Sequence, residues 1–190
     1  MASRSLTELI AQADERGLAA SGLACLDRCL PLLAPEADAP RPLWAGLAGG
    51  EEDWAERLAA ARETMESATV EDEDAAVVRK MLGAAPSEWE PAGLRQWSDA
   101  CSLAALELHQ RFDAGPGGSD GAELIKRCRE GEPEGAGPLV SGELRRQMQI
   151  LEILADADAH GGGLRAALDL STEGQRVLRA ALSRRARVRR

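Results

Sequence analysis

The sequence predicts an all-α protein, and three observations carry that prediction. Ala, Leu, Arg and Glu, all strong helix formers, dominate, whereas only 3% of residues are aromatic and Tyr is absent, so strands would lack their preferred side chains. Apolar residues recur at steps of three and four along nearly every segment. Capping signals precede those segments, and Gly or Pro follows them. A chain of 190 residues suits a single compact domain with one substantial core. The pattern divides into about seven to nine helices with short loops, at ordinary helix lengths.

Ser5-Leu6-Thr7-Glu8 is a capping box, opening a helix with Leu6, Leu9, Ile10 and Ala13 on one face, which Gly17 is expected to stop. Ser21 is placed to cap a second helix, in which Leu23, Leu26, Leu30 and Leu33 repeat around Cys25 and Cys29 and which Pro31 distorts or ends. Pro35 to Pro42 reads as a connection. From Glu51 a further helix carries Trp54, Leu58, Ala61 and Met65 on one stripe, with acids in its first turn where the helix dipole favours them. Thr69 to Asp72 can cap the next, whose Val77, Val78, Met81 and Leu82 point inward before Gly83 and Pro86.

Beyond Pro91, the series Leu94, Trp97, Cys101, Ala104, Leu108 and Phe112 marks the candidate central helix. Asp120 and Glu123 cap a short helix bearing Leu124, Ile125 and Cys128, between two loops rich in Gly. Ser141 is expected to open a helix with Leu144, Met148, Leu151 and Leu154 that ends at His160. A shorter helix then carries Leu164, Ala167 and Leu168, and Ser171 is placed to cap a last one with Val177, Leu178 and Leu182 beneath arginines.

Charge divides the chain unevenly. Gly174 to Arg190 hold seven arginines and no acid, whereas the rest carries 16 basic against 32 acidic side chains. We therefore expect an acidic helical domain over residues 1–173 and an Arg-rich helix or tail over 174–190, packed on it or extending from it. Ten acids against Arg57 and Arg62 give Glu51 to Asp74 a net charge of −8. Only two lysines occur, Lys80 and Lys126, and Asn is absent, a bias typical of GC-rich bacterial coding. No apolar run reaches the roughly 18 residues of a membrane span, and the amphipathic, acid-containing N-terminus does not read as a signal peptide, so a cytoplasmic location is expected.

Motifs for chemistry are weak. Gly117-Gly118-Ser119-Asp120-Gly121 matches a nucleophile elbow in letters, but no strand precedes it and a loop is the better reading. Asp156, Asp158 and His160 could face one cation, yet neither His109 nor His160 has a glutamate three residues earlier, so no metal or other cofactor is expected. Cys25, Cys29, Cys101 and Cys128 all lie in apolar helical patterns and read as buried free thiols rather than zinc ligands or disulfides. Trp97 belongs to the core stripe, while Trp44, Trp54 and Trp89 near helix ends weigh between packing and interface anchoring.

The leading functional expectation is a non-catalytic, acidic protein-binding module that occludes a basic protein partner, as an immunity protein neutralises a toxin or an inhibitor masks an enzyme. Its contact residues would be Glu51, Glu52, Asp53, Trp54, Glu56, Glu71, Glu73 and Asp74. The alternative is a helical enzyme or a small-molecule or metal binder with a pocket between the 94–112 and 144–160 helices, using His109, Asp113, Asp156 and His160. A third is a nucleic-acid-associated regulator using Arg184, Arg185, Arg187, Arg189 and Arg190, which the acidic remainder disfavours.

Overall fold

The N-terminal capping box forms: Ser5 Oγ accepts from the Glu8 amide at 3.2 Å, and Glu8 Oε2 accepts from the Ser5 amide at 2.8 Å. It opens α1 (Leu6–Gln12), which ends earlier than Gly17 suggests. Asp14 then caps α2 (Glu15–Cys29), its Oδ1 accepting from the Gly17 amide at 2.7 Å. Gly17 thus lies in the first turn of α2 and its missing Cβ leaves room for that carboxylate, while the expected cap, Ser21, is buried mid-helix. A 3-10 turn at Leu30–Leu32 accommodates Pro31.

The computed structural model describes residues 4–33, 40–49, 51–66, 72–114, 121–157 and 162–188, and among them nine α-helices and no strand. The chain is an all-α domain within the expected helix count. After α2 come α3 (Arg41–Gly49), a 3-10 turn at Glu51–Asp53, α4 (Trp54–Glu66) and α5 (Glu73–Gly83). Then follow α6 (Pro91–Ala114), α7 (Gly121–Glu130), α8 (Pro138–Ala157) and α9 (Gly163–Val188). Pro42, expected in a connection, sits in the first turn of α3, where a helix has no amide bond for proline to remove. The expected caps Thr69 and Asp120 lie outside the described residues; Asp72 caps α5, accepting from the Asp74 amide at 3.0 Å.

Helices α2, α6, α8 and α9 pack on one another as the inner set, with α2 against α6 the most extensive pairing. The helix at the centre is α2 rather than α6: every residue from Gly17 to Cys29 is buried, whereas α6 leaves Gln96, Leu103, Glu107 and Arg111 exposed. A helix apolar on all sides is an interior helix. Small residues let α6 approach closely, and a Cβ on Gly22 would stand 2.8 Å from the Trp97 ring. Around this set, α1 and α7 cover α6 and α8, while α3, α4 and α5 form an outer group reaching α2, α6 and α9.

Two helix ends are built differently from expectation. Helix α8 starts at Pro138, three residues before Ser141, and its first free amides, Leu139 and Val140, donate to the Asp113 carboxylate of α6 at 3.1 and 2.9 Å. Gly137 leaves space for that carboxylate. The two helices expected from residue 164 onward are one, α9, in which Ser171 is buried mid-helix. The boundary expected after residue 173 therefore falls inside a continuous helix. Helix α7 ends in a Schellman motif, with Gly131 at φ 101°, its amide donating to the Cys128 carbonyl and the Glu132 amide to that of Arg127.

Candidate functional site

The acidic segment folds into two helices joined by residues outside the description. Glu51, Glu52, Asp53 and Glu56 are exposed at the N-terminal end of α4, and Glu63 and Glu66 are exposed farther along it. The two basic residues among them turn inward. Arg57 donates to the Pro42 carbonyl at 3.2 Å and to Asp53 at 3.0 Å, while Arg62 donates to the carbonyls of Gly83 and Ala85 at 2.9 and 2.6 Å. Glu51, Glu52, Glu56, Glu63 and Glu66 consequently face solvent with no ion-pair partner among the described residues. Positions 52, 56, 63 and 66 share one helical face.

The expected contact residues do not form one corner. Arg62 and Trp54 of α4 bond the end of α5 and the link after it, whereas Glu73 and Asp74 lie at the start of α5, about 15 Å away along its axis. Glu73 is exposed, and Asp74 is neutralised by Arg111 at 2.6 Å. Glu71 lies outside the described residues.

Trp54 is no surface anchor. It is 1% exposed, donates from Nε1 to the Pro86 carbonyl at 2.7 Å, and meets Trp89 and Trp97 edge to face at 5.4 and 6.0 Å. Trp97 donates in turn to the Met81 carbonyl at 2.8 Å. With so few aromatics, the three indoles tie α4, the α5–α6 link and α6 together. Trp44 is buried as well.

Of the alternative pocket, the described members do not come together. His109 is buried with Nδ1 donating to the Ala105 carbonyl at 2.7 Å, and Asp113 caps α8. Asp156 is exposed near the opposite end of α8, about 25 Å along the axis from Val140. Asp158 and His160 lie outside the described residues, as do Gly117 to Asp120 of the letter-level nucleophile elbow. Of the arginines, Arg184 and Arg187 are exposed, Arg185 stacks on the Phe112 ring at 5.0 Å, and Arg189 and Arg190 lie outside the described residues. The end of α9 thus rests on the end of α6.

Sequence reasoning missed a buried polar network. Arg28 of α2 donates from Nε and Nη2 to the two oxygens of Glu143 on α8, at 2.7 and 2.6 Å, with both side chains 0% exposed. Gln147 donates from Nε2 to Glu143 at 2.9 Å, and its Oε1 accepts from the Ser102 hydroxyl of α6 at 2.6 Å. Ser171 of α9 lies 3.5 Å from Arg28, and His109 Nε2 lies 3.8 Å from Glu143. Burial alone would raise the Glu143 carboxyl, but the Arg28 charge beside it, with His109 and Gln147, brings it down to about 2. Sealed from solvent, this pair fixes four helices in register rather than meeting a substrate. The only hint in the sequence is that Asp27 and Arg28 interrupt an otherwise apolar helix.

All four cysteines are free and buried. Burial pushes Cys25 up to about 12 and holds Cys29 and Cys101 well above the ordinary thiol value, so none is an activated nucleophile. Between α5 and α6 lies an apolar groove of about 300 Å3, its floor including Met81, Trp97 and Ala104. A smaller hollow of about 210 Å3 lies between α1 and the end of α8, near Leu9 and Leu154. Among the described residues no helix is long and apolar enough to cross a membrane, and no cluster of three metal-ligating side chains occurs. Comparison with protein-family models, curated proteins and solved structures finds no match to this chain.

Proposed function

We propose that this chain is a non-catalytic binding module that docks a basic protein partner, in the manner of an immunity protein or an enzyme inhibitor. The docking surface is the solvent face of the Glu51–Asp53 turn and α4. One observation carries the reading: both arginines of the segment are committed to Asp53 and to backbone carbonyls, leaving Glu52, Glu56, Glu63 and Glu66 as an uncompensated ridge on one face. Such a ridge steers a cationic partner and sets its orientation more than it adds affinity. Trp54 drops out of the contact set because it is core, and Asp74 because Arg111 neutralises it.

The test compares the native chain with the charge-reversed triple variant E52R/E56R/E63R. Each is used to capture proteins from native lysate at low and high salt, and the retained protein is purified for stopped-flow association. A basic partner is expected, released by high salt, with association to the variant slowed by about tenfold or more. Equal rates for both chains would overturn the assignment.

A further inference from the structure

The α5–α6 groove carries both halves of a symmetric contact. Leu103, on its rim, is 36% exposed and, with Val188 near the end of α9, is one of two large apolar side chains exposed among the described residues. Beside it, the small side chains of Ala84, Ala100 and Ala104 leave a hollow of about 300 Å3. An apolar cavity of about 150 Å3 already holds a benzene-sized group, so a leucine side chain fits. A knob and a hole therefore lie on the same face.

The rim charges follow the same pattern. Lys80 on α5 and Glu107 on α6 are both exposed, and neither forms an ion pair among the described residues. The Trp97–Met81 hydrogen bond fixes the register of the two helices and puts Lys80 about one turn to the Pro91 side of Leu103, while Glu107 lies one turn to the other side. A two-fold axis lying in the contact plane and running obliquely across the groove beside Leu103 exchanges both those two ends and the two helices. It brings Lys80 of each copy over Glu107 of the other and each Leu103 into the opposing hollow.

We propose that the occupant of the α5–α6 groove is a second copy of this chain, joined in an isologous dimer in which each contact is made twice. Apolar contact at the centre carries the association, and the two Lys80–Glu107 pairs set its register. This face is separate from the acidic ridge of α4, and its apolar centre keeps the dimer together at the high salt that releases a cationic partner.

Sedimentation equilibrium of the full chain tests this. The native chain is expected to dimerise, and L103D to dissociate at least about a hundredfold more readily, since the dyad places a charge in both hollows. Leu103 is a surface residue of α6, so the helicity of L103D should stay close to native, and so should its urea midpoint when both chains are compared at dilutions where each is monomeric. K80E and E107K should each weaken the dimer by roughly fivefold to tenfold, and the double variant K80E/E107K should restore it to within about threefold, because the swap rebuilds both pairs. A native chain that stays monomeric at the highest soluble concentration overturns the proposal, as does an L103D dimer of native affinity. A monomer whose groove binds an apolar dye, with binding lost in L103D, would assign the groove to a small ligand instead.

Discussion

Replacing Glu143 with leucine leaves the Arg28 guanidinium without its carboxylate in an interior where its side chain is 0% exposed. Two charge-assisted hydrogen bonds of 2.7 and 2.6 Å disappear, together with the Gln147 contact at 2.9 Å. Removing one partner of such a pair costs about 3–5 kcal/mol, because the remaining ion keeps its desolvation penalty. A domain of this size has roughly 5–15 kcal/mol in total, so E143L should unfold about 10 °C or more below the native chain at a few degrees per kcal/mol. R28M should lose a similar amount, since it strands the carboxylate.

The double variant R28M/E143L removes both ions and fills the space with apolar atoms, so it should recover most of the loss and come within about 1–2 kcal/mol of native. Urea unfolding followed by tryptophan fluorescence measures all four chains, with the buried Trp54 and Trp97 as reporters. The pair also sets a pH dependence. The folded Glu143 carboxyl sits at about 2 against an ordinary 4.5, so the native state is favoured above the higher value and that gain is lost as pH falls toward the lower one. The acid-side decline should be shallower in R28M/E143L. A single variant E143L within about 1 kcal/mol of native, or a double variant worse than the sum of the singles, would refute the reasoning.

Three further outcomes follow from named contacts. Gly174→Ala should destabilise by about 1–3 kcal/mol despite the better helix propensity of alanine, because its Cβ would overlap the Arg28 side chain, whereas Gly83→Ala, with open space around it, should be neutral or stabilising by about 0.5–1 kcal/mol in urea melts. Asp113→Ala should cost about 1–2 kcal/mol and speed amide exchange at Leu139 and Val140, the two amides it holds at the start of α8; unchanged exchange there would refute this cap. A thiol reagent such as DTNB should leave the folded chain untouched and react with Cys25, Cys29, Cys101 and Cys128 only in denaturant. Immediate labelling of the native chain would contradict their burial.

Helix content was legible because it depends on neighbours in sequence. The Ser5 capping box, the Trp54–Met65 stripe and the Leu94-to-Phe112 series each place their helix within a few residues of where it lies. The errors arose where a side chain answers to a distant partner. Ser171 resembles a cap, but it and Gly174 are small because Arg28 fills the space beside them. Asp113 resembles a pocket carboxylate, yet its acceptors serve amides of the next inner helix, 26 and 27 residues on. Trp54 sits among acids in sequence while its ring lies against two other indoles. The α4 ridge was half legible: charge count marked the segment, but only geometry shows which of its charges are already compensated.

The position of α2 governs how this chain can fold. Its Arg28 finds Glu143 across 115 residues, and its Asp27 finds Gln175 across 148. The most deeply buried helix therefore leaves the ribosome long before α8 and α9 exist to cover it. At about 5–20 residues per second, α2 waits several seconds or more for those partners. An all-helical chain would ordinarily complete its contacts locally and fold fast, yet here the keystone is laid first and enclosed last. Assembly from the N-terminus therefore ends in a closing step set by the C-terminal helices, and a chain stalled before residue 143 presents an α2 that α6 can cover on one side but that lacks α8 and α9 on the other.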